Sequence, residues 1–286
     1  MSIKIGLQMF SVRNKFNEDR IKTLQDLSTI GYKHIEIPID FQSDSVFNIN
    51  TLSASDLKRM TETAGIQVLA THIPGELKEQ ELNDIISYHK ELGCYRAIIP
   101  MMLFQGAHDV IAFSKRLNEY GKKLWTHGIQ LYYHNHFQEF QKFDGKTVYE
   151  ILLENTNPDY LKFELDMYWA IRGGANVEQL LKQLGNRCEL IHIKDLPHPI
   201  SSINILETLN EEKAITLHDF MPLFNSDNFV EIGQGKLDIK EIIKLVKEHT
   251  ATKYIIVEQD VITIDEIKSV EISFSALSDL LDAEYE

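Results

Sequence analysis

Cysteine is scarce: Cys94 and Cys188 are the only two among 286 residues. Two thiols are too few for a disulfide framework, and each lies beside an apolar run, as suits buried free thiols in a reducing compartment. Long apolar runs are missing as well. No segment approaches the roughly 18 consecutive apolar residues of a membrane helix, and the opening run Ile3 to Phe10 is broken by Lys4 and Gln8. That run reads as a first strand and not as a signal peptide. Positive charge is short, with 29 Lys and Arg against 43 Asp and Glu and a formal charge of -14. Such a field repels phosphate backbones and anionic lipid, so neither nucleic acid nor a membrane is an expected partner. The expected location is cytoplasmic. Nor is there a glycine-rich turn after the first strand, where Gly6-Leu7-Gln8-Met9 lacks the fingerprint of a dinucleotide-binding fold. No linker or low-complexity stretch marks a second domain.

What the chain does have is a repeat. Short runs rich in β-branched and aromatic residues begin near Ile3, Lys33, Ile66, Tyr95, Ile129, Leu161, Cys188 and Lys253. Each is followed by apolar residues at helical spacing. The runs are almost continuously apolar, as strands covered on both faces are, which implies a parallel sheet. Gly31, Gly65, Gly93 and Gly128 stand where a helix should stop and the next strand start, the place for a left-handed C-cap. Eight strand–helix units in a chain of this length predict an α/β fold, a (β/α)8 TIM barrel forming one domain over residues 1–286. The stretch from Leu196 to Val230, with Pro197, Pro199 and Pro222, is too long for an ordinary connection. It reads as an oversized loop at about 196–230 over the active-site face, a candidate lid.

Ionisable residues collect where these strands end. The exits carry Gln8, Glu36, His72, His134 with His136 and Glu139, Glu164 with Asp166, His192 with Lys194 and Asp195, and Glu258 with Asp260. Residues two apart on a strand share a face, so several of these pairs point into the barrel together. Carboxylates crowded into a low-dielectric cleft repel one another unless protons or a cation neutralise them. Carboxylate oxygen mixed with imidazole nitrogen, without thiolate, suits Mn2+, Mg2+, Co2+ or Zn2+.

The segments His134-Asn135-His136-Phe137-Gln138-Glu139-Phe140, Glu164-Leu165-Asp166-Met167-Tyr168-Trp169, His192-Ile193-Lys194-Asp195 and Val257-Glu258-Gln259-Asp260 resemble the strand-five to strand-eight signatures of the sugar phosphate isomerase/epimerase family. The opening Ile5 to Arg13 and the turn Val230 to Gly235 are also similar to that family, which belongs to the xylose-isomerase-like TIM barrel superfamily. The resemblance implies one divalent metal, Mn2+ first among the candidates, held by Glu139, Asp166, His192 and Glu258. Glu139 lies several residues past its strand, and His134 or His136 is the alternative ligand there.

The same resemblance implies an enzyme of carbohydrate metabolism that binds a small-molecule sugar or sugar derivative and leaves homo-oligomerisation open. The metal would polarise adjacent keto and hydroxyl oxygens, and Glu258 or Glu139, with His134 as alternative, would remove the neighbouring proton to give an enediolate. Reprotonation gives an epimerase or isomerase. Loss of a β-substituent gives a lyase of the inosose dehydratase kind. His72, His136, Trp169 and Lys194 are the expected substrate-binding residues.

Blander roles stand beside these. Trp169 suits a core, Gln8 and Glu36 suit hydrogen-bonded positions at the mouth, and Glu164, a layer below Asp166, suits an internal ion pair with a lysine. The turn Gly233-Gln234-Gly235-Lys236 suits a tight entry to the final helix more than a phosphate cradle. A DNA-repair nuclease of the endonuclease IV kind would need a basic groove, which the charge opposes. A non-catalytic sugar-binding barrel would have lost metal or base positions, all of which are filled here.

Overall fold

The computed structural model describes residues 3–39, 52–200, 203–209 and 213–282. All eight apolar runs form strands, each starting within a residue or two of its expected place: β1 (Lys4–Gln8), β2 (His34–Pro38), β3 (Gln67–His72), β4 (Arg96–Ile99), β5 (Gln130–His134), β6 (Leu161–Asp166), β7 (Cys188–Ile193) and β8 (Tyr254–Val257). Each is parallel to its neighbours, and β8 pairs back to β1 to close the barrel. The outer layer is made of α1 (Arg20–Ile30), α2 (Ala54–Thr63), α3 (Glu79–Leu92), α4 (Ala107–Trp125), α5 (Val148–Asn155), α6 (Val177–Leu184), α7 (Ile239–His249) and α8 (Glu266–Asp282). The fold is therefore a (β/α)8 barrel, and none of its described helices is long and apolar enough to cross a membrane.

Local chemistry starts and stops these helices. Asp19, Ser53, Asn176 and Asp238 each accept a hydrogen bond from a first-turn N–H, and Thr147 with Glu150 forms a reciprocal box at α5. Gly31, Gly65, Gly93 and Gly128 all have positive φ, between 69° and 128°, so the chain reverses into each next strand where a side chain would be strained. The two cysteines are free and buried.

Apolar side chains pack in three clusters, one of which gathers Phe137, Tyr168, Trp169, Leu196 and Phe220 at the mouth. The largest cluster fills the space between strands and helices. A smaller one, with Ala70, Ile98, Tyr132, Leu190 and Ile256, lies inside the barrel. Register shifts fall between Ile35 and Glu36 and between Phe163 and Glu164. Such irregularities re-aim the side chains that follow them.

The stretch after β7 lies against the mouth. Within it Leu217–Phe220 is helical, and Phe220, Phe224 and Phe229 pack around Trp169. The Tyr168 hydroxyl donates to the Asn228 carbonyl at 2.5 Å. Residues 201–202 and 210–212 of the stretch lie outside the described residues.

Candidate active site

Strand register brings the sequence candidates to two levels. His134 pairs with Glu164 across β5 and β6, and Asp166 with His192 across β6 and β7. At the upper level one ligand atom each from His134, Asp166, His192 and Glu258 lies within 4.8 Å of the others. All four residues are buried, Glu258 being the most open at 7% exposure. At the lower level Glu36, His72, Glu164 and His192 make a second such group, so the His192 ring belongs to both.

The tautomers follow from the hydrogen bonds. His134 Nδ1 lies 3.0 Å from the Pro100 carbonyl, which can only accept, so Nδ1 carries the proton and Nε2 keeps a lone pair. That Nε2 has no hydrogen-bond partner and lies 3.5 Å from Asp166 Oδ2. His192 Nε2 lies 2.8 Å from Glu36 Oε2 and its Nδ1 2.9 Å from Glu258 Oε2. Without a cation the surrounding carboxylates hold this ring protonated: burial works against the charge, but Glu164, Glu36 and Glu258 outweigh it. A ring that donates Nε2–H to Glu36 can present Nδ1 to the upper group, the usual second-shell arrangement of a metal-binding histidine.

Lys194 lies among the upper carboxylates. Its ammonium is 2.5 Å from Asp166 Oδ2, 2.5 Å from Glu258 Oε2 and 3.6 Å from Asp260 Oδ2, and it is 1% exposed. Burial disfavours its charge, yet the three carboxylates hold its pKa well above the ordinary value. Burial alone would keep Asp166 and Glu258 protonated, but Lys194 heads the charges that lower both. Asp260, for which burial outweighs Lys194, is raised to about 7.

Glu139 is set apart. It follows β5 in a 3-10 turn, Gln138–Phe140, that folds its carboxylate back to accept from the Tyr133 hydroxyl at 2.7 Å and the His136 N–H at 2.8 Å. The structure does not bring it into either group, and His134 stands at the β5 exit instead. Burial raises the Glu139 carboxyl to about 7 against these donors. The folded chain therefore binds this proton more tightly than the unfolded chain. Its stabilising effect is full below about pH 4.5 and is lost as pH rises through about 7. Glu139→Gln cannot ionise, so its stability relative to wild type is expected to rise by about 2–3 kcal/mol between pH 5 and pH 8 in urea unfolding. A difference that stays level over that range would show that burial does not hold this proton.

Glu164 also departs from its expected role. Its Oε2 lies 3.2 Å from His192 Nε2 and 3.3 Å from His72 Nε2, so it faces imidazoles and not a lysine. The side chain across the barrel, which sequence spacing does not reveal, determines the partner. Of the expected substrate-binding residues, His72 and Lys194 are committed to these ionic groups. Partly buried His136 rests against Trp169 and Phe220. Its Nδ1 and the Trp169 Nε1 have no hydrogen-bond partner. Asn135, absent from the sequence candidates, accepts from Asp166 N and donates to Asp166 O, fixing the end of β6.

The glycine turn is filled by the protein itself. Asp195 accepts from the N–H groups of Leu196, Gly233, Gly235 and Leu237 at 2.8–3.1 Å. A Cβ on Gly235 would stand 2.2 Å from Asp195 Oδ1. The anion in this nest is a side chain of the chain's own, which makes the segment a tight turn.

Imidazoles and carboxylates converging at the carboxyl ends of barrel strands are what TIM-barrel enzymes build their active sites from. The profile of the xylose isomerase-like TIM barrel family matches residues 24–277, and the chain belongs to that family. An inosose dehydratase of Mesomycoplasma hyopneumoniae (strain 7448) is 28% identical over 145 residues, 50% of this chain and 45% of that protein. One of Salmonella agona (strain SL483) is 27% identical over 149 residues, 50% and 44% of the two chains. The match spans less than half the length of these curated relatives. A sugar phosphate isomerase/epimerase from Parabacteroides distasonis ATCC 8503 superposes with a TM-score of 0.74 at 24% identity, over 97% of this chain and 94% of that one. The IOLI protein, solved with a zinc atom, superposes with a TM-score of 0.71 at 17% identity, over 98% and 99%. At these identities the likeness is one of fold.

Proposed function

We propose that this chain is a metal-dependent isomerase or epimerase of a keto sugar or related polyol, working by proton transfer next to a carbonyl. The observation that carries this reading is the upper group, whose four ligand atoms come from different strand exits and lie within 4.8 Å of one another. The donor set fits a divalent cation. His134 Nε2 is a buried nitrogen lone pair with nothing to accept, which costs on the order of 1–3 kcal/mol unless a ligand fills it. Two imidazoles and two carboxylates suit Mn2+, Co2+ or Zn2+, with Mn2+ the first choice and Mg2+ less favoured by nitrogen ligands.

Bound by His134, Asp166, His192 and Glu258, the ion would supply Lewis-acid polarisation of a carbonyl and its adjacent hydroxyl. The chain's own groups do the rest. Pro100 O and Glu36 fix the two imidazoles, and the Trp169 N–H bonded to Asp166 Oδ1 at 2.8 Å fixes that carboxylate. Glu258 Oε2 is committed to His192 and Lys194, so its second oxygen is the base that takes the proton from the carbon beside the carbonyl. The Lys194 ammonium, held by Asp166 and Glu258, would counter the negative charge that develops on the substrate oxygen. His136 Nδ1 and Trp169 Nε1, still unpaired, bind hydroxyl groups. For isomerisation Glu258 returns its proton to the neighbouring carbon while the hydroxyl proton of that carbon passes to the former carbonyl oxygen; epimerisation needs a second acid that protonates the opposite face of the first carbon.

A second reading, β-elimination of water after the same proton abstraction, is favoured by the inosose dehydratases among the relatives. One experiment separates them: the Mn2+-loaded protein is incubated in D2O with a panel of keto sugars and cyclitol ketones and followed by NMR. Deuterium entering the carbon beside the carbonyl with retention of all hydroxyls supports the isomerase or epimerase. Exchange accompanied by loss of water supports the dehydratase. No exchange with any of them sinks both.

A further inference from the structure

We propose that Glu36, His72, Glu164 and His192 form a second divalent-metal site, of the four-coordinate zinc type, beneath the first. The inference stands on its own geometry and shares with the proposed function the His192 ring and the Glu36 carboxylate that fixes it. Four buried side chains from β2, β3, β6 and β7 meet here. His192 Nε2 lies 2.8 Å from Glu36 Oε2 and 3.2 Å from Glu164 Oε2. His72 Nε2 lies 3.4 Å from Glu36 Oε2 and 3.3 Å from Glu164 Oε2. Ligands at roughly 2.0–2.1 Å from a tetrahedral ion stand about 3.3–3.4 Å apart. Three of the four distances match that spacing, and the fourth, at 2.8 Å, is a hydrogen bond.

The competing account is a pair of histidine–glutamate ion pairs, in which each ring N–H would point at a carboxylate oxygen. That holds for His192 and Glu36. It does not hold for Glu164, which is fully buried while neither of its oxygens accepts a hydrogen bond. A buried carboxylate that faces two imidazoles at 3.2–3.3 Å without a directed hydrogen bond is only partly satisfied, and a cation at the centre of the four atoms would satisfy it. Both glutamates follow directly on register shifts in their strands, which turn them inward. Gln8 closes one side, its Nε2 donating to His72 Nε2 at 3.0 Å and to Glu36 Oε2 at 3.4 Å, and an ion in the cage would displace the first of these bonds. Filling this cage takes the Nε2 proton from His192. Filling both sites together makes the ring a bridging imidazolate.

The test is an anomalous difference map at the zinc edge for wild-type crystals soaked in Zn2+, beside metal counts for wild type, Glu164→Gln and Asp166→Asn in solution. The expected result is a peak between the four side chains, with its share of metal lost in Glu164→Gln and kept in Asp166→Asn. Zinc found only beside His134, Asp166 and Glu258, with an unchanged count in Glu164→Gln, overturns the second site and leaves the first standing. Zinc in the deep cage alone upholds this inference and removes the metal from the proposed mechanism. Should Glu164→Gln fail to fold, the wild-type map decides.

Discussion

Glu258→Gln is expected to lower kcat by roughly a hundred- to ten-thousandfold, the range for loss of a general base, while the barrel stays folded. The carboxylate has two tasks that an amide cannot share. It supplies an anionic oxygen to the upper group, where His192 Nδ1 and Lys194 Nζ lie 2.9 Å and 2.5 Å from Oε2. It also supplies a base whose strongly lowered pKa, set by Lys194 and His192 against burial, keeps it unprotonated at neutral pH in the free protein. Glutamine preserves volume but removes one charge from the buried set around Lys194, so folding is checked by urea unfolding before the rates are compared. Deuterium exchange at the substrate carbon, measured apart from product release, reads the base directly. A variant exchanging within tenfold of wild type would show that Glu258 is not the base.

Lys194→Met carries the second large effect, on stability. The ammonium neutralises a buried set of Asp166, Glu258 and Asp260, and removing one partner of such a set costs about 3–5 kcal/mol because the other charges stay buried and unpaired. Methionine fills a similar volume, so the loss is electrostatic. A bound divalent cation would replace the missing charge, and metal is therefore expected to stabilise the variant more than the wild type. Urea unfolding of both proteins in EDTA and in excess Mn2+ measures this coupling. Equal shifts in the two proteins would separate Lys194 from any cation held by Asp166 and Glu258.

The order of secondary structure was legible because each strand is covered on both faces and so is written as a continuous apolar run. Helix ends were legible because positive φ selects glycine at Gly65, Gly93 and Gly128. Much of the candidate site was legible for a related reason: Asp166, His192 and Glu258 are ionisable residues where barrel strands otherwise supply apolar ones. Spacing was silent about direction beyond a strand. Four residues separate His134 from Glu139, and whether the second points into the mouth depends on a 3-10 turn whose hydrogen bonds to Tyr133 and His136 turn it away.

The sequence alone determined the eightfold alternation, the family and the exits at which polar side chains gather, since apolar periodicity and turn chemistry act over a few residues. Only the closed barrel decided that Glu164 faces His72 and His192, that Lys194 lies between Asp166 and Glu258, and that Asp195 fills the Gly233–Leu237 turn. Those pairings join residues far apart in the chain. They are set by strand register and barrel closure, which determine what each side chain meets across the interior.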